Sequence, residues 1–142
     1  MAFREPVSLE ALNALSRGNL LEHLGIVFTA AGEDWLSATM PVDVRTRQPY
    51  GLLHGGASVV LAETLGSSAG NLCVDPATHL CVGVEINANH LRAVTQGEVT
   101  GTARALHVGR SLQVWEIDIV DGTGRRVCVS RLTLAVVPRQ QP

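Results

Sequence analysis

The chain begins with leucines spaced three apart: Leu9, Leu12 and Leu15 follow Ser8, with Glu10 in the first turn. A serine cap ahead of such a stripe predicts a short amphipathic helix, and Asn19 to Leu24 adds another turn before Gly25. From Ile26 to Val42 the residues are extended in character, divided into two strands by a Gly32–Asp34 turn. Val44 to Leu53 contains Arg45, Arg47, Pro49 and Gly51 and reads as a loop. Then the pattern changes. Gly55 to Leu72 is apolar with small polar residues interspersed, carries one charge and stops near Asp75–Pro76, which predicts a long buried helix.

Beyond it the period is two. Val82, Val84 and Ile86 alternate with Gly83, Glu85 and Asn87, and Trp115, Ile117 and Ile119 alternate with Glu116, Asp118 and Val120. Val99–Val108 and Val127–Val137 complete the strands, with turns at Gly97 and Asp121–Gly124. No connection after residue 79 is long enough for a crossover helix, so these strands run antiparallel. The expected architecture is α+β: one long central helix wrapped by an antiparallel sheet of five or six strands, in a single domain spanning residues 1–142.

Composition supports this and removes several functions. A chain of 142 residues buries about two thirds of its unfolded surface, enough for a core without staples. Apolar residues make up 46%, charged ones 17%, and the net charge is −2, which excludes a disordered chain and gives no basic stripe for nucleic acid. All 11 cations are arginine, so no Schiff-base or P-loop lysine exists. Cys73, Cys81 and Cys128 are an odd number without CxxC spacing, and the charged N-terminus is no signal peptide; both point to the reducing cytoplasm. No His or Cys pair has zinc-ligand spacing, so no metal is expected. Gly55–Val74 has the length of a membrane span, yet ten of its positions are Gly, Ser, Thr, Asn or Glu, so it reads as a helix inside a soluble protein.

Glu63 is the only charge between His54 and Asp75 and sits among Val59, Val60, Leu61, Leu65 and Ala69. Burying a carboxylate costs several kcal/mol, so one in such a helix calls for a reason; the plain alternative is a solvent-facing glutamate. Upstream, Gln48-Pro49-Tyr50-Gly51-Leu52-Leu53-His54-Gly55-Gly56 brings two glycines to the helix start. Their unshielded N–H groups, aided by the helix dipole, suit a developing oxyanion, although close packing alone would also account for them. Gly55 and Glu63 are eight residues apart, about 12 Å along a helix. If both act on one carbonyl they must come from different subunits. With no nucleophile elbow, a carboxylate and oxyanion donors suit a thioester, whose thiolate leaves without acid help.

The stretch HGGASVVLAETLGSSAG resembles the central-helix signature of hotdog-fold acyl-CoA thioesterases, within the 4-hydroxybenzoyl-CoA thioesterase and PaaI-like superfamily. MPVDVRTRQPYGLLHGG, VGVEINANHLRAV and LHVGRSLQVWEIDIVDGTGR extend the match to the small bacterial aroyl-CoA thioesterases, the branch of the 1,4-dihydroxy-2-naphthoyl-CoA hydrolases. The resemblance implies a hotdog fold, acyl-CoA hydrolysis, no cofactor, and a homotetramer built as a pair of dimers. It makes Glu63 the nucleophile or general base, with Gln48, His54 and the Gly55 N–H polarising the thioester carbonyl from the facing subunit. Ser67 positions water or the acyl group. His90, Leu91, Arg92 and Ala93 touch the CoA nucleotide with Gly83 nearby, and His107, Val108, Gly109, Arg110 and Ser111 add to it, the arginines meeting phosphates.

Each has a plainer counterpart. Arg92 and Arg110 also read as strand-end charges, His90 and His107 as hydrogen-bonded sheet residues, and Asn87 and Asn89 as partners for buried backbone groups. Trp35 and Trp115 read as core or interface rather than substrate platforms. Two other functions stay open: a hotdog dehydratase or hydratase of 3-hydroxyacyl or enoyl thioesters, although the His-Phe-Pro-Gly pattern is lacking, and a non-catalytic acyl-CoA binding module.

Overall fold

The computed structural model describes residues 2–140. Two short helices open the chain, α1 (Leu9–Leu15), where Ser8 Oγ accepts from the Ala11 N–H at 3.1 Å, and α2 (Leu20–Leu24), capped by Asn19. The hairpin β1 (Val27–Ala31) and β2 (Trp35–Pro41) follows, then a loop and the 18-residue helix α3 (Gly55–Leu72). Four strands complete the chain: β3 (His79–His90), β4 (Glu98–Val108), β5 (Leu112–Val120) and β6 (Arg126–Pro138).

All six strands form one antiparallel sheet in the order β1-β2-β4-β5-β6-β3. The sheet therefore has the upper of the two strand numbers expected. β3 begins three residues earlier than the alternation at Val82 marks, because Leu80 pairs with Val137 and His79 with Pro138 at the end of β6. Its other side is the free edge of the sheet, where Val82 and Val84 are exposed.

α3 lies on one face of the sheet and buries Leu61, Ala62, Leu65 and Ala69 against it. The glycines of its second half are there for proximity. A Cβ on Gly66 would come 2.5 Å from Leu132 Cδ2, and one on Gly70 would strike Leu134, both on β6. Val59 and Val60 are only half-buried, so the apolar helix is covered on one face within a single chain and not all round.

Trp115 lies at the centre of the core and donates its indole N–H to Gln113 Oε1 at 2.9 Å, while Gln113 Nε2 donates to the Gly70 carbonyl. Phe3 stacks on that indole, with centroids 6.2 Å apart. The N-terminal segment is further held by the Arg4 N–H, which donates to the Leu72 carbonyl at 3.1 Å. Trp35 differs from Trp115: it is half-exposed at the start of β2, under the Arg104 guanidinium. Asn87 is exposed and pairs with the Glu85 carboxylate, so its side chain serves no buried backbone group.

Candidate active site

The loop before α3 is built to present donors. Thr46, buried, donates its hydroxyl to the Pro41 carbonyl at 2.7 Å, and its own carbonyl accepts the His54 N–H at 2.8 Å. The Leu53 N–H donates to the Val94 carbonyl at 2.7 Å, which fastens the loop beside the turn after β3. Between these anchors Gln48 folds back on its own segment. Its Oε1 accepts from the Tyr50 and Leu52 N–H groups, and its backbone carbonyl accepts from Gly51, which takes φ 83° to close the turn. With Oε1 occupied, the Gln48 Nε2 protons are left to donate elsewhere.

His54 is the N-cap of α3. Its Nδ1 accepts from the Gly56 N–H at 2.8 Å, so the neutral ring carries its proton on Nε2 and is a second available donor. The His54 carbonyl takes the N–H groups of Ala57 and Ser58. Among the described residues, that leaves Gly55 as the one N–H of the first helical turn without a protein partner. A Cβ on Gly55 would lie 2.8 Å from His90 Nε2, so a side chain there would displace that imidazole.

A cavity of about 330 Å³ is lined by Gln48, Gly55, Ser58, His90, Arg92 and neighbouring residues, while His54 lies outside its lining. The structure thus brings together two sets of expected site residues, the donors of the loop and the His90–Ala93 turn. It holds that turn in place by the Leu91 and Arg92 N–H groups, both donating to the Val127 carbonyl. Ser58, buried in this cavity's wall, is a site residue that the sequence reading missed. Its position one turn beyond Gly55 on the same helix face was the available signal.

Glu63 is elsewhere. Its Oε1 lies 2.7 Å from where a Cβ on Gly83 would be, at the free-edge strand β3. It is half-buried and, among the described residues, takes part in no ion pair. Gly83 therefore stands against Glu63 and not in the cavity with His90 to Ala93, seven residues further along β3. Ser67, one turn past Glu63, lines a second cavity of about 730 Å³ between α3 and the N-terminal segment, with Arg4, Leu12, Leu15, Leu72 and Val74.

The other expected nucleotide contacts are at the far end of the sheet. His107 to Ser111 form the β4–β5 corner, where the Ser111 carbonyl accepts from Val136, whereas His90 pairs with Cys128. Those two partners are eight residues apart on β6, about 26 Å. One chain cannot close both sets around one nucleotide. Among the described residues, no three His, Cys, Asp or Glu side chains cluster closely enough to hold a metal ion.

Residues 50–128 match the model of the thioesterase superfamily. The chain belongs to that superfamily. The thioesterase is 57% identical over 137 residues to the proofreading thioesterase EntH of Cronobacter sakazakii, covering 96% of this chain and 99% of that one. It is 53% identical over 137 residues to the 1,4-dihydroxy-2-naphthoyl-CoA hydrolase of Escherichia coli K12, covering 96% and 100%. A crystal structure of a mutant form of thioesterase PA1618 from Pseudomonas aeruginosa superposes with a TM-score of 0.96 at 52% identity, covering 98% and 100% of the two chains. The single long helix on a six-stranded antiparallel sheet is the hotdog fold, and the thioesterase is an enzyme, a thioester hydrolase. No helix among its described residues is long and apolar enough to cross a membrane.

Proposed function

We propose that this thioesterase hydrolyses acyl-CoA thioesters with aromatic acyl groups, as a cytoplasmic single-domain hotdog enzyme whose active site is shared between two subunits. The observation that carries the reading is the division of the chemistry on α3. Gln48 Nε2 and the Gly55 N–H, both unspent, share the cavity at its start, and His54, the N-cap beside Gly55, keeps its Nε2–H unspent. The carboxylate lies eight residues on, against a glycine at the sheet edge. Donors without an acceptor suit the oxygen of a thioester carbonyl, and an unpaired carboxylate suits attack on its carbon or on a water beside it.

The free edge of β3 supports the way the halves meet. Exposed Val82 and Val84 on an unpaired edge favour strand pairing with a second copy. An antiparallel β3–β3 pair with its twofold axis at Asn87, counted with the register shift between Gly83 and Glu85, sets Gly83 opposite the partner's His90. Glu63, beside Gly83, then faces the partner's Gly55, beside that histidine.

In that arrangement Gln48, His54 and Gly55 of one subunit draw charge onto the thioester oxygen. Glu63 of the other subunit either attacks the carbonyl carbon, expelling CoA thiolate and leaving an anhydride for water to open, or deprotonates the attacking water. The thiolate, with an ordinary pKa near 8.5, departs without a general acid. The acyl group runs from Glu63 past Ser67 into the 730 Å³ cavity, whose leucines and valine suit an aromatic ring. The CoA nucleotide lies at His90–Ala93 with Gly83 toward the acyl end. The roughly 26 Å between the β6 partners of His90 and Ser111 supports drawing His107–Ser111 from a different subunit, as a dimer of dimers would supply it.

Thiol release from benzoyl-CoA tests this. Wild type turns over, and Glu63→Ala loses about a thousandfold in kcat, as for removal of a principal base or nucleophile. Equal turnover by the variant overturns the assignment of Glu63, and hydration of crotonyl-CoA without thiol release overturns hydrolysis as the reaction.

A further inference from the structure

Six polar side chains are buried in the described chain, and five are satisfied. Ser37 pairs with Thr102 at 2.7 Å, Ser130 donates to the Asn87 carbonyl at 2.8 Å, and Ser16 donates to the Leu12 carbonyl. Thr46 holds Pro41, and Gln113 bridges Trp115 to Gly70. Ser58 is the sixth. It is 2% exposed, its hydroxyl has no partner among the described residues, and it lines the 330 Å³ cavity. It does not even turn back on the His54 carbonyl one turn below, which is spent on the backbone N–H groups of Ala57 and Ser58. That hydroxyl is not sealed in the core, and one that opens on a cavity beside the free end of a helix is set for a ligand atom.

Resting on the proposed acyl-CoA reading, we infer that Ser58 binds the thiol arm of the substrate and accepts a hydrogen bond from the amide N–H nearest the sulfur. The cavity joins the carbonyl donors at Gly55 to the His90–Ala93 turn, so the arm between thioester and nucleotide passes through it. Ser58 is three residues beyond Gly55, on the same helix face at about 5–6 Å. That span matches the two methylenes separating the thioester from the first amide. Leu52, Leu53 and Val127 give the methylenes apolar walls. The arm's amide is therefore the one polar group that must be met there, and Ser58 is the buried acceptor in reach.

Ser58→Ala removes only the hydroxyl and raises helix propensity, so the fold is not at risk. With benzoyl-CoA it raises KM about tenfold, the size of one net hydrogen bond, and leaves kcat within about twofold. The deciding pair is the benzoyl thioester of N-acetylcysteamine and its ester isostere, in which oxygen replaces the amide N–H. Wild type prefers the amide by about tenfold in kcat/KM, and Ser58→Ala erases the preference by losing activity on the amide compound alone. Equal loss on both compounds, or none on either, overturns the role of Ser58 while thiol release by wild type still upholds the thioesterase reading. No thiol release by wild type from any of the three overturns that reading itself.

Discussion

The Glu63 carboxylate occupies the space that a side chain on Gly83 would need, with Oε1 2.7 Å from the missing Cβ. Gly83 lies on exposed edge strand just before a register shift at Glu85, and its φ is not in the left-handed region, so nothing in the backbone demands glycine. Only the carboxylate does. Gly83→Ala is expected to fold with an unchanged Tm and to push Glu63 out of line. A displacement on the scale of an ångström costs about a hundredfold in kcat. Steady-state kinetics beside a thermal melt checks it: a fall in Tm with kcat intact would mean the glycine serves the strand.

A shared site predicts rescue by mixing. Glu63→Ala chains and Gln48→Ala chains are each expected to be inactive. When unfolded and refolded together at equal amounts, half the dimers are mixed, and each mixed dimer has one site with both intact groups. About a quarter of wild-type activity should return. If the roughly 12 Å between Gly55 and Glu63 were bridged within one chain, mixing would restore nothing.

How far the sequence reached follows from which signals are local. The extent of α3, the alternation of β5 and the turns at Gly97 and Gly124 depend on neighbours in the chain, and the structure has them where the pattern put them. The eight-residue gap between Gly55 and Glu63 likewise gave their separation along the helix, because helical rise is fixed. The alternation of Val82, Val84 and Ile86 is instead broken by the register shift between Gly83 and Glu85. What was not legible depends on pairing across the sheet. The resemblance sets Gly83 near His90 to Ala93, while in the structure seven extended residues separate Gly83 from His90 and α3 passes both. The distance from His90 to Ser111 follows only once β6 is known to lie between β3 and β5. Ser58 was overlooked because a serine in an apolar helix reads as filler until the other buried hydroxyls are found paired.

Cysteine chemistry sets up a prediction relevant to any thiol-release assay. Burial, helped by neighbouring Cys81, pushes the Cys73 thiol up to about 12, and burial also raises Cys81 and Cys128. Native protein at pH 8 should therefore react with a chromogenic disulfide at well under one thiol per chain, and at three after denaturation. The sign for stability follows. A thiol raised in the folded state keeps its proton there after the unfolded chain has lost it. Its contribution is whole below about pH 9, the ordinary value, and declines as pH rises toward 12. A denaturation midpoint that rose between pH 9 and 11 would contradict the burial of these groups.

The N-terminal segment links core stability to acyl selectivity. Phe3 stacks on Trp115, and the following residues Arg4, Glu5 and Pro6 form one wall of the 730 Å³ cavity beside Ser67. Phe3 is 4% exposed, and its truncation to alanine leaves a void on the Trp115 indole worth about 3 kcal/mol. The backbone ties from residues 2 and 3 to the Glu33 carbonyl and from Arg4 to Leu72 then carry the segment without the aromatic anchor. Phe3→Ala should lower Tm and loosen the wall against which an aromatic acyl group packs. The expected kinetic result is selective: kcat/KM falls about tenfold for benzoyl-CoA, a loss typical of an apolar contact, and stays within about twofold for acetyl-CoA, which is too short to reach that wall. An equal fall for both would show that the segment supports the fold without shaping the acyl cavity.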